Sequence, residues 1–380
     1  MKEAYPPMHK PVGYQICTKT IMDTSDKEIL FDEEGVCNHY HRYKQLEPLY
    51  AYQGAGTDRA RKEMLDRIRL AGKGKPYDCL IGISGGVDSS YVAYLAHENG
   101  LRPLVVHFDN GWNSELAIRN IEQIVRRLNF EYQTWVVDWN EFRDLQKAFL
   151  KASVNNAEIP TDHAFLAALY RIAEKNKIKY VLSGSNFVTE GILPKSWGYN
   201  AKDLKHLLAI HRLYGSVPLK TYPTLGFKRE IYYTYVKGIK MIRFLNYFKY
   251  EKADAMKILQ EKLGWTYYGG KHYESVFTRF FQAYLLPQKF GIDKRRAHLS
   301  TLIASGQISR DAAIEEMKAE AYPADLVKQD IQYVRKKLML SESEFDAILS
   351  DPPRSYKDFP NDEQRLKFIY SIYYKLRGAR

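Results

Sequence analysis

The stretch that most constrains this chain is Leu80 to Leu95, LIGISGGVDSSYVAYL, an apolar run that breaks at two glycines and resumes at once with helical spacing. The residues from Tyr77 to Ile83, YDCLIGI, have the length and continuous apolarity of a strand buried on both faces. After them the strand cannot continue. Gly85 and Gly86 let the backbone turn tightly and approach a ligand, while Ser84, Ser89 and Ser90 set hydroxyls beside the free amides that open a helix. A helix N-terminus carries partial positive charge, so phosphate or pyrophosphate is its natural occupant, and Asp88 is placed to help hold the accompanying magnesium. An ordinary glycine turn would fit the same letters.

The surrounding pattern gives this junction a place. The runs PLVVHFD (Pro103 to Asp109), YQTWVVD (Tyr132 to Asp138) and KYVLSG (Lys179 to Gly184) read as further strands, separated by helical patterns such as SELAIRNIEQIVRRLN and DHAFLAALYRIAEKNK. Strand and helix alternating in this way predict an α/β fold with a doubly wound parallel sheet, whose ligands bind beyond the C-terminal ends of the strands. Three regions follow: residues 1–60 as a small β-rich lobe, 61–243 as the sheet domain opened by a helix capped at Thr57, and 244–380 as a helical region. In the last, Ser309 caps one helix, Ser341 with Glu344 forms a capping box, and EQRLKFIYSIYYKLRGAR reads as a closing amphipathic helix. The basic, aromatic segment 227–252 is read as a packing helix, with docking of a partner protein as its functional alternative.

Composition narrows the setting. With 380 residues and 45% hydrophobic residues the chain can bury a large core, and charges interrupt every apolar run before membrane-spanning length, which predicts a soluble, cytoplasmic protein. Three scattered cysteines, Cys17, Cys37 and Cys79, argue against a disulfide framework. A net charge of +12 points to anionic partners without choosing among nucleotides, sugar nucleotides, RNA and membrane surfaces.

SGGVDSS is neither G-x-x-x-x-G-K-[ST] nor G-x-G-x-x-G; it resembles the S-G-G-x-D-S signature of the PP-loop ATP pyrophosphatases. That likeness implies ATP cleaved between the α and β phosphates, with AMP transferred to a carbonyl oxygen. It assigns ATP to Ser84, Gly85, Gly86, Val87, Asp88, Ser89, Ser90 and Gly184. GSNFVTEG after the fourth strand resembles a G-x-x-N-x-x-E element that makes Glu190 the partner of Asp88 on magnesium, and the tail of the second strand assigns nucleoside contacts to His107, Phe108 and Asp109. An amide carbonyl resists ammonia because oxygen leaves poorly, whereas its adenylate expels AMP; adenylylation is what makes the substitution possible.

Over nearly its whole length the chain is similar to the N-acetyl sugar amidotransferases of surface-polysaccharide pathways, on IMDTSD, FDEEGVCN, GKGKPYDCLIGISGGVDSSY, PTDHAF and YGGKHYESVFTRFFQAYLLPQKFGIDKRRAHLSTLIASGQISR. The family implies an acetamido oxygen exchanged for nitrogen on a nucleotide-linked sugar such as a UDP-2,3-diacetamido uronic acid in O-antigen lipopolysaccharide biosynthesis. Its ammonia is implied to come from a glutaminase and a barrel-like channel protein resembling the two halves of imidazole glycerol phosphate synthase. No glutaminase segment or Cys/His pair of that kind occurs in the sequence, and no extra reactive cysteine of the kind sulfur-transferring relatives use. Between Tyr268 and Arg310 basic residues interleave with aromatics. Lys271 and Arg279 are the leading substrate contacts there, Lys271 with a catalytic part, followed by His272, Glu274, Lys294 and Arg295; Asp162 and His163 serve as substrate contacts or, for Asp162, as a helix cap. A solvated basic face is the plainer reading of the same residues. Where relatives show a zinc-type C-x-x-C pair of motifs, this chain has Cys17, Thr20, Cys37 and Tyr40, so zinc is not expected on Cys17 and Cys37. Two rival functions remain: a PP-loop enzyme modifying tRNA, and a scaffold without catalysis that only binds the glutaminase complex.

Overall fold

The computed structural model describes residues 6–270, 273–320 and 322–366; Lys271, His272 and most of the expected closing helix lie outside the described residues. The N-terminal segment is not the β-rich lobe its weak alternation predicts. Residues 9–37 are turns joined by isolated bridges, His9 to Phe31, Ile16 to Asp23 and Phe31 to Cys37, and the segment passes into helices α1 (Asn38–Tyr50) and α2 (Ala55–Gly72). Asp23, Asp26 and Asp32 take the place of strand pairing there by accepting backbone or hydroxyl hydrogen bonds two to four residues on. Thr57 does not cap α2. The helix begins at Ala55 after Gly54, and the Thr57 hydroxyl instead accepts from Gln53 N–H at 2.8 Å.

Beyond α2 the chain builds one sheet from β1 (Cys79–Ile83), β2 (Pro103–Asp109), β3 (Glu131–Val136), β4 (Tyr180–Ser183) and β5 (Lys240–Arg243). All neighbouring pairs are parallel and the order is β3-β2-β1-β4-β5. The crossovers are α3 (Val87–Glu98), α4 (Glu115–Leu128), α5 (Trp139–Lys151) and α6 (Ile159–Lys175). Period-two alternation divides β1 between two layers: Cys79, Ile81 and Ile83 face α2, α3 and α4, and Leu80 faces α6. The chain winds outward from β1 to β3 and then returns to β4 on the other side, which opens a crevice at the C-terminal ends of β1 and β4.

The fifth strand corrects the reading of residues 227–252 as one helix. After α7 (Phe187–Glu190) and α8 (Leu204–Tyr214) come a short helix α9 (Phe227–Ile231), a wide helical turn at 232–236, the edge strand β5 and a tight turn at 244–247. Gly238, with φ of +66°, makes the break that separates helical turn from strand. The C-terminal helices are α10 (Lys252–Leu263), α11 (Val276–Phe280), α12 (Lys294–Ala304), α13 (Arg310–Lys318), α14 (Ala324–Leu338) and α15 (Glu342–Ser350). Ser309 and the Ser341–Glu344 box cap α13 and α15 as their sequence predicts. No helix among the described residues is long and apolar enough to cross a membrane.

Candidate active site

The glycine turn sits at the opened crevice. Gly85 has φ of +84°, and a Cβ there would lie 2.7 Å from the Ala117 carbonyl oxygen, so both conformation and space require glycine. Gly184, at the end of β4, comes so close to the start of α3 that a Cβ would meet Ser89 N at 3.0 Å. Within the turn, the Ser84 hydroxyl accepts from Gly86 N–H at 3.3 Å, and the Ser89 hydroxyl accepts from Ser84 N–H while donating to the Gly86 carbonyl, both at 3.2 Å. The loop is thereby set as a cradle before any ligand arrives. Ser90 is fully buried, and among the described residues its hydroxyl has no hydrogen-bond partner.

Three carboxylates line the cradle's cleft, Asp88, Glu190 and Glu274, and the first two come from the elements that frame the glycine turn. Asp88 lies in the first turn of α3, where the helix dipole favours negative charge. Asn186 places the second: its side-chain oxygen caps α7 through Thr189 N–H at 2.9 Å, its amide points at Asp88 at 3.5 Å, and Glu190 closes that helix. The Tyr250 hydroxyl also donates to Asp88. Burial and the neighbouring Asp88 carboxylate hold that phenol well above its usual range, so it stays a donor. Both acids line a cleft of about 250 Å³. One side is polar, from Ser84 to Ser89 and Ser183 to Ser185; the other is apolar, from Phe165, Leu169, Val181 and Met241. Such a cleft offers a phosphate-binding end and an end suited to a purine.

Its rim comes from the C-terminal part of the chain. Trp265 is buried and donates from Nε1 to the Gly85 carbonyl at 2.8 Å. The Tyr268 hydroxyl lies beside Gly86 of the turn, a phenol held high by burial and by Glu274 and Asp88. Glu274 lies beside them and is anchored through its backbone, which accepts from Ser114 N–H at 2.9 Å. Lys252, His298 and Tyr267 complete the lining. Magnesium fits this donor set: one or two carboxylates with substrate phosphates are its usual environment, and Asp88 and Glu190 are the residues that would hold it.

Other expected contacts fall elsewhere. His107, Phe108 and Asp109 do not line the cleft. His107 is buried, Phe108 belongs to the core, and Asp109 accepts from Gly111 N–H at 2.8 Å, so the tail of β2 supports the crevice from behind. Asp162 is not the cap of α6, which begins at Ile159; it accepts from the Tyr199 hydroxyl at 2.6 Å. His163 is fully buried between the Ala201 carbonyl at 2.7 Å and Leu225 N–H at 2.9 Å, and burial brings its pKa down to about 4. Arg279 forms a two-pronged pair with Asp330 at 2.7 and 2.8 Å, Arg295 pairs with Asp293 at 2.8 Å, and Lys294 stands 3.7 Å from Glu158. Glu274 alone of the described C-terminal candidates reaches the cleft. Tyr250 and Lys252 escaped the sequence reading because they lie in an aromatic, basic run whose path depends on the unforeseen β5.

In the N-terminal segment the two thiols meet each other. Cys37 N–H is 3.3 Å from the Cys17 sulfur, and Thr20 Oγ1 is 3.9 Å from the Cys37 sulfur. The Cys37 thiol hydrogen bond lowers the pKa of Cys17, and Cys17 in turn raises that of Cys37. His39 and His41 turn away to Asp26 at 2.7 Å and Asp32 at 2.8 Å. Among the described residues no group of three or more such side chains could hold a metal ion.

Residues 274–377 match the family described as LPS biosynthesis protein WbpG-like, C-terminal domain. Residues 74–189 match the thiamine biosynthesis protein (ThiI) family. No curated protein matches the chain. Solved structures similar to it include the NH3-dependent NAD synthetase of Campylobacter jejuni, at 15% identity over 78% of this chain and 98% of that one, with a TM-score of 0.31. The U34-tRNA thiolase NcsA of Methanococcus maripaludis is 14% identical over 72% and 79%, TM-score 0.33. The NMN synthetase of Francisella tularensis is 14% identical over 57% and 99%, TM-score 0.28. At such TM-scores the fold rests on the sheet order and the loop geometry themselves.

Proposed function

We propose that this chain, whose residues 274–377 match a WbpG-like C-terminal domain and whose residues 74–189 match the ThiI family, is an ATP-dependent amidotransferase of lipopolysaccharide biosynthesis, converting an acetamido group of a nucleotide-linked sugar to an acetamidino group. The observation that carries this reading is the pre-set SGGVDSS cradle with Asp88 and Glu190 on one cleft, which Glu274, His298 and Leu302 of the WbpG-like part also line. In this reading the acetamido carbonyl oxygen attacks the α-phosphorus of ATP, the O–P bond forms, and the bond to the β-phosphate oxygen breaks. The cradle from Ser84 to Ser90 receives the pyrophosphate through the amides and hydroxyls that open α3. Magnesium, when bound, neutralises charge on the phosphates. Tyr250 orients Asp88 by its hydrogen bond, and Trp265 holds the turn from beneath. Ammonia then adds to the activated carbon, gives up one proton to solvent, and AMP departs with the original carbonyl oxygen, leaving the amidinium group. A glutaminase and a channel-forming barrel protein are the proposed ammonia source, and a UDP-linked 2,3-diacetamido uronic acid the proposed acceptor.

The test is pyrophosphate release from ATP with magnesium, ammonium salt and a panel of diacetamido nucleotide sugars, comparing wild type with Asp88→Ala. Sugar-dependent release that disappears in the variant, with a product about one mass unit lighter from exchange of O for NH, is expected. Release stimulated by transfer RNA and by no sugar would replace this function with base modification.

A further inference from the structure

Among the described residues, the cations expected to bind the acceptor are engaged within the protein: Arg279 by Asp330, Arg295 by Asp293, Lys294 near Glu158. A different group of cations is left available. A second cleft, of about 580 Å³, adjoins the first, and Ser185 and Glu190 line both. Into it project Arg42 from α1, Lys195 from the turn after α7, and Arg243 from the C-terminal end of β5. All three are exposed, and none forms an ion pair with a described residue.

Three elements far apart in sequence thus converge on one concavity at the same end of the sheet as the cradle, and each brings a positive charge. The acids on its wall are Glu28 and the shared Glu190, and His39 there is turned to Asp26 at 2.7 Å. Glu190 faces both clefts, so a magnesium ion on the loop side would cancel its charge and leave the second cleft more positive. Two guanidinium groups and an ammonium suit a diphosphate, which arginine can grip with paired hydrogen bonds. Asn38 and Tyr50 on the same wall supply an amide and a ring for a nucleoside.

We propose that this second cleft is the acceptor subsite, where Arg42, Lys195 and Arg243 bind the diphosphate of the nucleotide-linked sugar so that its acetamido carbonyl reaches past Glu190 to the α-phosphate of ATP. The inference rests on the amidotransferase reading and adds to it a binding site outside the cation-rich segment 268–310.

Arg42→Ala, Arg243→Ala and their double variant decide it, with Lys195→Ala as a third exposed position and melting temperature as the check on folding. Steady-state rates are measured with UDP-linked 2,3-diacetamido uronic acid and, separately, with ATP varied. The expected result is a KM for the sugar raised roughly tenfold to a hundredfold per arginine, the scale of a lost charge-assisted contact, with the KM for ATP and the melting temperature near wild type. Arg243→Lys should recover part of the loss. An unchanged sugar KM, or a fall in kcat alone, would overturn the subsite and leave the amidotransferase standing. A wild-type enzyme that no diacetamido nucleotide sugar stimulates would overturn both together.

Discussion

Gly85 and His163 are fixed by forces of different reach. At Gly85 the constraint is local: a turn of that shape needs a positive φ, and only glycine takes one without cost. At His163 it is tertiary. Its neighbours in the chain, Asp162 and a helix start, suggest a rim position, whereas its surroundings are the Ala201 carbonyl and Leu225 N–H brought in by tertiary folding. Nδ1 donates to the first and Nε2 accepts from the second, which fixes a neutral ring, and burial lowers its pKa to about 4. His206 is likewise buried and lowered to about 4. An unfolded histidine titrates near 6.5, so above that pH their contribution is fully present; as pH falls from 6.5 toward 4 the unfolded chain gains protons that the folded chain refuses, and stability drains away. Each ring accounts for up to about 3 kcal/mol across that window. Urea midpoints of the wild type should fall between pH 7 and pH 4.5, and His163→Gln, less stable at pH 7, should show a shallower fall; an equal slope would mean the ring is protonated in the native protein.

Elements were readable where their period was clean and their ends were punctuated. β2 was placed at Pro103–Asp109 residue for residue, and Ser309 and Ser341 marked the starts of α13 and α15. β5 was not, because four residues, Lys-Met-Ile-Arg, on the sheet's edge carry too little pattern to compete with the aromatic helical spacing before them. Contacts between helices are beyond sequence reading altogether, as Arg279 shows. From α11 it reaches Asp330 on α14, with Tyr322 donating to the same carboxylate. Arg279→Ala would leave a buried carboxylate without its cation, a loss of about 3 to 5 kcal/mol. A lowered melting temperature with the sugar KM near wild type is expected; a raised KM at unchanged stability would return Arg279 to the substrate site.

At the scale of the molecule, the division at residue 243 suggested by the end of strand-like sequence cuts through shared packing. Phe244, Leu245, Tyr250, Leu259 and Trp265 are buried in the same layer as Cys79, Ile81 and Val92. Residues 61–243 expressed alone should therefore lack a cooperative urea transition, since the α3 face of the sheet would be stripped of α10; a sharp two-state transition with native near-UV dichroism would contradict this. The contact of Trp265 with the Gly85 carbonyl has a further consequence, for inheritance. The turn and the indole beneath it lie 180 residues apart and are joined by a direct hydrogen bond. A crossover between two diverged genes anywhere in that interval would pair one lineage's loop with another's support, and the indole would meet a carbonyl it was not fitted to.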